Sequence, residues 1–93
     1  MTSGERQALP GFDLVERGLA DLKRGVESEA SLLVSIGAPR LRKLGIAVDA
    51  AVESPEHRLY ELLWREDPDG AHSRYNALIR RLVSFERAAE CAS

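Results

Sequence analysis

The sequence predicts an all-α protein, a compact bundle of four main helices with a short helical segment after Gly37. Three observations lead there. In the last third, Tyr75, Leu78, Ile79, Leu82, Val83 and Phe85 recur at three- and four-residue spacing, with Arg74, Arg80, Arg81 and Arg87 set against them; this is the period of an α-helix. Helix-stopping and turn residues fall between such runs, at Pro10-Gly11, Gly25, Gly37, Gly45, Ser54-Pro55 and Asp67-Pro68-Asp69-Gly70. The 93 residues amount to about one domain, with 44% apolar residues to form a core and 30% charged residues to solvate it.

Residues 1–11 read as a flexible N-terminal arm and residues 12–90 as a single helical domain. The first helix is expected over 12–24. Phe12, Val15, Leu19 and Leu22 form its apolar stripe, and its acidic first turn (Asp13, Glu16) and basic last turn (Lys23, Arg24) suit the helix dipole. Gly25 is a fair stop. Gly18 costs about 1 kcal/mol relative to alanine inside a helix and can permit close approach of a neighbour. The second helix, 28–36, carries Ala30, Leu32, Leu33, Val34 and Ile36 nearly all round, which marks a buried, central element. After Gly37, Pro39 can open a short helix over 39–44, because proline suits a first helical position, and Gly45 closes it. Residues 46–54 read as either a connector or a short extended segment. Ser54-Pro55 then reads as a serine cap followed by proline, starting a third main helix over 55–66. Leu59, Tyr60, Leu62, Leu63 and Trp64 cover more than half its circumference. The turn 67–70 is short enough to make it an antiparallel hairpin with a fourth helix over about 71–89.

Composition excludes several classes of function. A net charge of −2 argues against a chain that coats nucleic acid non-specifically. The single cysteine, Cys91, rules out an internal disulfide framework and a CxxC site, and it fits a reducing compartment. Residues 1–10 lack a basic start leading into an apolar stretch, and no apolar run approaches the roughly 20 residues needed to span a bilayer. The expected location is cytoplasmic, with no membrane partner. Phosphate-binding glycine loops and the GxSxG elbow are absent from the sequence.

Four constellations of residues are candidate sites. A helix-turn-helix centred on Gly37 would lock through Leu32, Ile36, Ala38 and Ile46 and offer Arg40, Arg42 and Lys43 to DNA. Leu33, Lys43 and Gly45 stand against it, since they crowd, charge and shorten the parts that must pack. The arginines of the last helix suit phosphate or carboxylate groups, including those of an acidic protein. Arg65 and His72, separated by six residues, resemble the arginine–histidine signature of HEPN-type ribonucleases. The resemblance covers two residues and implies a general acid/base paired with a phosphate stabiliser. His57 and His72, with nearby Glu53, Glu56, Asp67 and Asp69, lack the ligand spacing of a zinc or calcium loop, so no metal and no cofactor is expected. The aromatic residues are expected in the core, with Trp64 the exception at the edge of a broad apolar arc.

The favoured function is a small cytoplasmic, non-enzymatic protein acting by protein–protein interaction, as a regulatory or accessory subunit. Tyr60 and Trp64 would supply apolar contact, and Arg74, Arg81 and Arg87 charge complementarity. Homodimerisation is expected through the broad face of helix 55–66 or through the last helix, alongside a heterologous protein partner. The alternatives are a nucleic-acid-binding regulator using Arg40, Arg42 and Lys43 or the last helix's arginines, and a small ribonuclease using Arg65 and His72.

Overall fold

The computed structural model describes residues 8–92, which form five helices and no strand. They are α1 (Phe12–Lys23), α2 (Glu29–Ile36), α3 (Ala38–Lys43), α4 (Pro55–Glu66) and α5 (Ala71–Ala92). Most of the arm expected over 1–11 lies outside the described residues. Residues 8–11 form a turn whose Leu9 is half-buried against the core and accepts a 3.3 Å hydrogen bond from the Phe12 amide.

The bundle is built around α2. Ala30, Ser31, Leu32, Leu33, Val34 and Ser35 are all buried, and complete burial of each large apolar side chain among them stabilises by about 1.5–3 kcal/mol. The helix starts with a reciprocal cap: the Ser31 amide donates to Ser28 Oγ (3.1 Å), and the Ser28 amide donates to Ser31 Oγ (2.7 Å). Its buried hydroxyls are satisfied locally. Ser31 Oγ donates to the Ser28 carbonyl and Ser35 Oγ to the Ser31 carbonyl.

α1 lies against α2 through Gly18. A Cβ placed there would stand 2.3 Å from the Ala30 carbonyl oxygen and 2.7 Å from a Val34 methyl group, so only glycine permits this approach. The two helices are also joined at their connection. The buried Asp21 carboxylate accepts from Ser28 Oγ and from Arg24 Nη2, each at 2.7 Å. These two hydrogen bonds, the Ser28 one first, hold its pKa below the ordinary value.

α3 begins at Ala38, which makes Pro39 its second residue rather than its first. Residues 46–54 are an irregular connector: Ile46 and Val48 turn into the core, and the Val52 amide donates to Ser35 Oγ at 3.0 Å. From that tether the chain must turn into α4 within a few residues. Ser54 does so with left-handed backbone (φ 49°, ψ 49°) and makes no side-chain cap. The expected serine cap is therefore wrong, because capping requires extended backbone at that position. Pro55 still opens the helix.

α4 and α5 form the hairpin expected from the 67–70 turn, and α5 runs on to Ala92. Leu59 and Leu63 of α4 and Leu82 and Phe85 of α5 close the core over α2. Glu86 is buried with them. A Cβ at Gly37 would lie 3.0 Å from its Oε2 atom, so the glycine that separates α2 from α3 also admits α5. Burial pushes the Glu86 carboxyl above its ordinary pKa, and the Arg40 charge opposes that only in part.

We expect Gly18→Ala to lose about 1–3 kcal/mol in urea denaturation, the backbone clash outweighing the gain in helix propensity. The two buried carboxylates should respond to pH with opposite signs. Asp21 has a depressed pKa, so its contribution is present above the unfolded value and lost as pH falls through the folded one; Asp21→Asn should flatten the acid limb of the stability curve. Glu86 has a raised pKa, so stability that is intact below the unfolded value is lost as pH rises through the folded one. Glu86→Gln should accordingly raise the melting temperature at pH 7, by a margin that shrinks towards pH 4.

Candidate partner-binding surface

Among the described residues, three large apolar side chains are exposed: Val26 (42%) between α1 and α2, and Tyr60 (39%) and Trp64 (54%) on α4. Tyr60 and Trp64 are four residues apart and so neighbours on the helix surface. The broad apolar arc expected of this helix is thus mostly closed within the chain, by Leu59 and Leu63, and its aromatic edge remains in solvent. The exposure of Trp64 agrees with the expectation that it stands apart from the core. Tyr60 was expected inside and is not: one residue beyond Leu59, it is turned about 100° from the buried side.

Tyr60 rests edge-on against Tyr75 of α5, with ring centroids 5.8 Å apart and planes at 63°. Burial first, and then the nearby Glu56 carboxylate, push the Tyr75 phenol above its ordinary pKa. Tyr75, Ile79 and Val83 follow at four-residue spacing and are half-buried. With Tyr60 and Trp64 they make an aromatic and aliphatic strip along the hairpin.

The arginines of α5 fall on two stripes. Arg74 and Arg81, seven residues apart, turn towards the rest of the bundle. Arg74 bridges Glu29 (2.8 Å) and Glu66 (3.2 Å), and Arg81 approaches Asp13 at 3.5 Å. The Glu66 hydrogen bond and the Glu29 charge make Arg74 hold its proton more tightly than a free guanidinium. Arg80 and Arg87, also seven apart, are exposed and make no ion pair among the described residues. Of the charged residues expected beside Tyr60 and Trp64, only Arg87 is thus uncommitted. Arg80 shares its stripe. A heptad count along 74–87 separates the two pairs, and grouping all four arginines as one face concealed it.

The other candidate residues are dispersed. Leu32, Ala38 and Ile46 are buried, but α3 is six residues long. Arg40 bridges Glu90 at 2.5 Å, and Arg42 donates twice to the Val48 carbonyl, while Lys43 is exposed. Arg65 leans towards Glu61 (3.5 Å) and His72 pairs with Asn76 (3.2 Å), so each faces its own helix. No group of three or more metal-ligating side chains occurs among the described residues, and His57 meets only Glu61, at 3.8 Å. Cys91 is exposed.

Fold and surface together define a small all-α bundle with an exposed aromatic strip on its terminal hairpin. The chain matches no known protein family, no curated protein and no solved structure.

We expect Trp64→Ala to change stability by no more than about 1 kcal/mol, since half of the ring is already in water. Leu63→Ala, one residue away in the core, should cost about 2–5 kcal/mol in the same urea titration.

Proposed function

We propose that this protein is a small non-enzymatic interaction protein, a regulatory or accessory subunit that docks another protein on its terminal hairpin. The observation that carries the reading is the exposure of Trp64 and Tyr60 side by side on α4. Large aromatics of this kind are enriched among the residues that dominate binding energy. Arg80 and Arg87, exposed on α5 of the same hairpin, supply positive charge, so an acidic partner surface is the natural complement. A bond to Glu90 occupies Arg40, and two to the Val48 carbonyl occupy Arg42, which weighs against their reading a DNA groove. In this reading the protein works in the cytoplasm, consistent with a lone cysteine. Among the described residues no helix is long and apolar enough to cross a membrane.

The test is photo-crosslinking in the native cell, with the reactive side chain placed at position 64 of the full chain and, as a control, at exposed position 43. A discrete adduct at 64, absent at 43 and lost when Tyr60 is also replaced by alanine, is the expected result. No adduct at 64, or the same adducts at both positions, would overturn the reading.

A further inference from the structure

A second surface, distant in sequence from the aromatic strip, is built on α1. Phe12, Val15 and Leu19 form one wall of an apolar groove, with Ile46 of the connector and Phe85 of α5 behind them, and it encloses about 310 Å³. Phe12 and Leu19 are only half-buried. The groove carries two charged side chains from the same helix, Glu16 and Lys23. Both are exposed, and neither makes an ion pair among the described residues.

Their spacing is the informative feature. Glu16 and Lys23 are seven residues apart, two helical turns, so they share one stripe of α1 about 10 Å apart. Midway between them lie Leu19 and Ala20. A second copy of α1 laid antiparallel across a two-fold axis at that midpoint places each Glu16 opposite the other copy's Lys23. Leu19 and Ala20 flank the line of charges on either side, so Leu19 then meets the other copy's Leu19 and Ala20 the other copy's Ala20. One stripe therefore satisfies itself in charge, as an isologous interface requires. The other charged residues of α1 are directed elsewhere: Asp13 to Arg81 and Asp21 and Arg24 to each other, while Arg17 lines a separate groove with Asp21 and Arg74. Asp49 borders the adjoining hollow with Lys23.

We propose that the α1 groove binds a second copy of this chain, antiparallel and two-fold symmetric, through reciprocal Glu16–Lys23 pairs around Leu19 and Ala20. Pairing stabilises a domain small enough to have a thin margin of its own. It uses a face other than the α4 or α5 surfaces that the sequence suggested for a dimer, and it leaves the Trp64 strip open.

The experiment is light scattering coupled to size exclusion on the full chain, across a concentration series, with charge-reversal variants. The wild type should approach twice 10.3 kDa as concentration rises. Lys23→Glu and Glu16→Lys each set like charges face to face at both pairs, and each should raise the dissociation constant about tenfold or more. Mixing the two single variants, or combining both changes in one chain, should restore the dimer. Circular dichroism checks that the variants stay folded. A wild type that stays monomeric throughout overturns the proposal, as does a dimer indifferent to both reversals. A dimer broken by Trp64→Ala instead moves the contact to α4. A monomer whose groove takes up an anilinonaphthalene sulfonate probe, with Leu19→Lys abolishing uptake, assigns the groove to a small apolar ligand and also overturns it. Crosslinking at position 64 to a different protein would stand through any of these outcomes, so failure of the dimer and failure of the docking reading are separable.

Discussion

Every other element depends on α2 having no solvent-facing side, and that depends on the absence of a side chain at Gly18. An eight-residue helix is too short to be stable from its own hydrogen bonds. It persists because neighbours cover it, with α1 on one side and α4 and α5 on the others. Coverage on the α1 side requires backbone to meet backbone at Ala30, within a distance that any Cβ would violate. Gly37, at the other end of α2, is less strictly required: a Cβ there would meet only side-chain atoms of Leu82 and the buried Glu86 of α5, at 3.0–3.1 Å, which small shifts can relieve. One residue without a side chain, Gly18, thus sets the spacing of the large ones. Leu32, Leu33, Leu59, Leu63 and Phe85 fill the space that results.

Charge then fixes what packing leaves loose. Ion pairs join elements remote in sequence: Arg74 to Glu29 and Glu66, Arg81 to Asp13, Arg40 to Glu90, and Arg58 to Glu27. Exposed pairs contribute little stability singly, because water screens them and ordering long side chains costs entropy. They do set the direction in which each arginine points. A basic side chain held by a carboxylate on a neighbouring helix is poorly available to a phosphate, so the arginine content of α5 overstates its affinity for nucleic acid. Arg80 and Arg87 on α5 and Glu16 and Lys23 on α1 are exposed and make no ion pair among the described residues.

The helices were legible from sequence because their signals are local. Apolar spacing, Gly25, Gly37, Gly45 and Pro55 each act within a turn or two, and the boundaries of α2 and α4 agree with them. What was not legible is set by contacts between distant residues. Ser54 reads as a helix cap until the Val52–Ser35 tether forces a left-handed turn there. Residues 46–54 carry no periodic signal, since Ile46 and Val48 are held by the cavity they fill and not by a ladder of backbone bonds. For the candidate site, Trp64 was legible from the width of an apolar arc, whereas the exposure of Tyr60 follows from how α5 lies beside α4. The grouping of the arginines follows from which carboxylates the fold brings near. The α1 stripe was visible only as a core face, because sequence spacing shows which residues are neighbours on a helix and not how far the rest of the chain covers them.

The two surfaces differ in a way that bears on how they would be used together. The α1 stripe carries one acid and one base about a common midpoint, so it complements a copy of itself in charge. The hairpin strip is not. Its exposed aromatic residues lie on α4, and the arginines that make no ion pair among the described residues lie on α5, so it offers an apolar and cationic face that a different, acidic surface would complement better than a copy of itself. A two-fold dimer through α1 would carry two such strips on one particle. A partner able to meet both would then bind its second strip intramolecularly, and avidity can exceed single-site affinity by about 10²–10⁴ without any new contact. Joining copies through α1 would therefore strengthen docking through α4 even though the two sites share no residue.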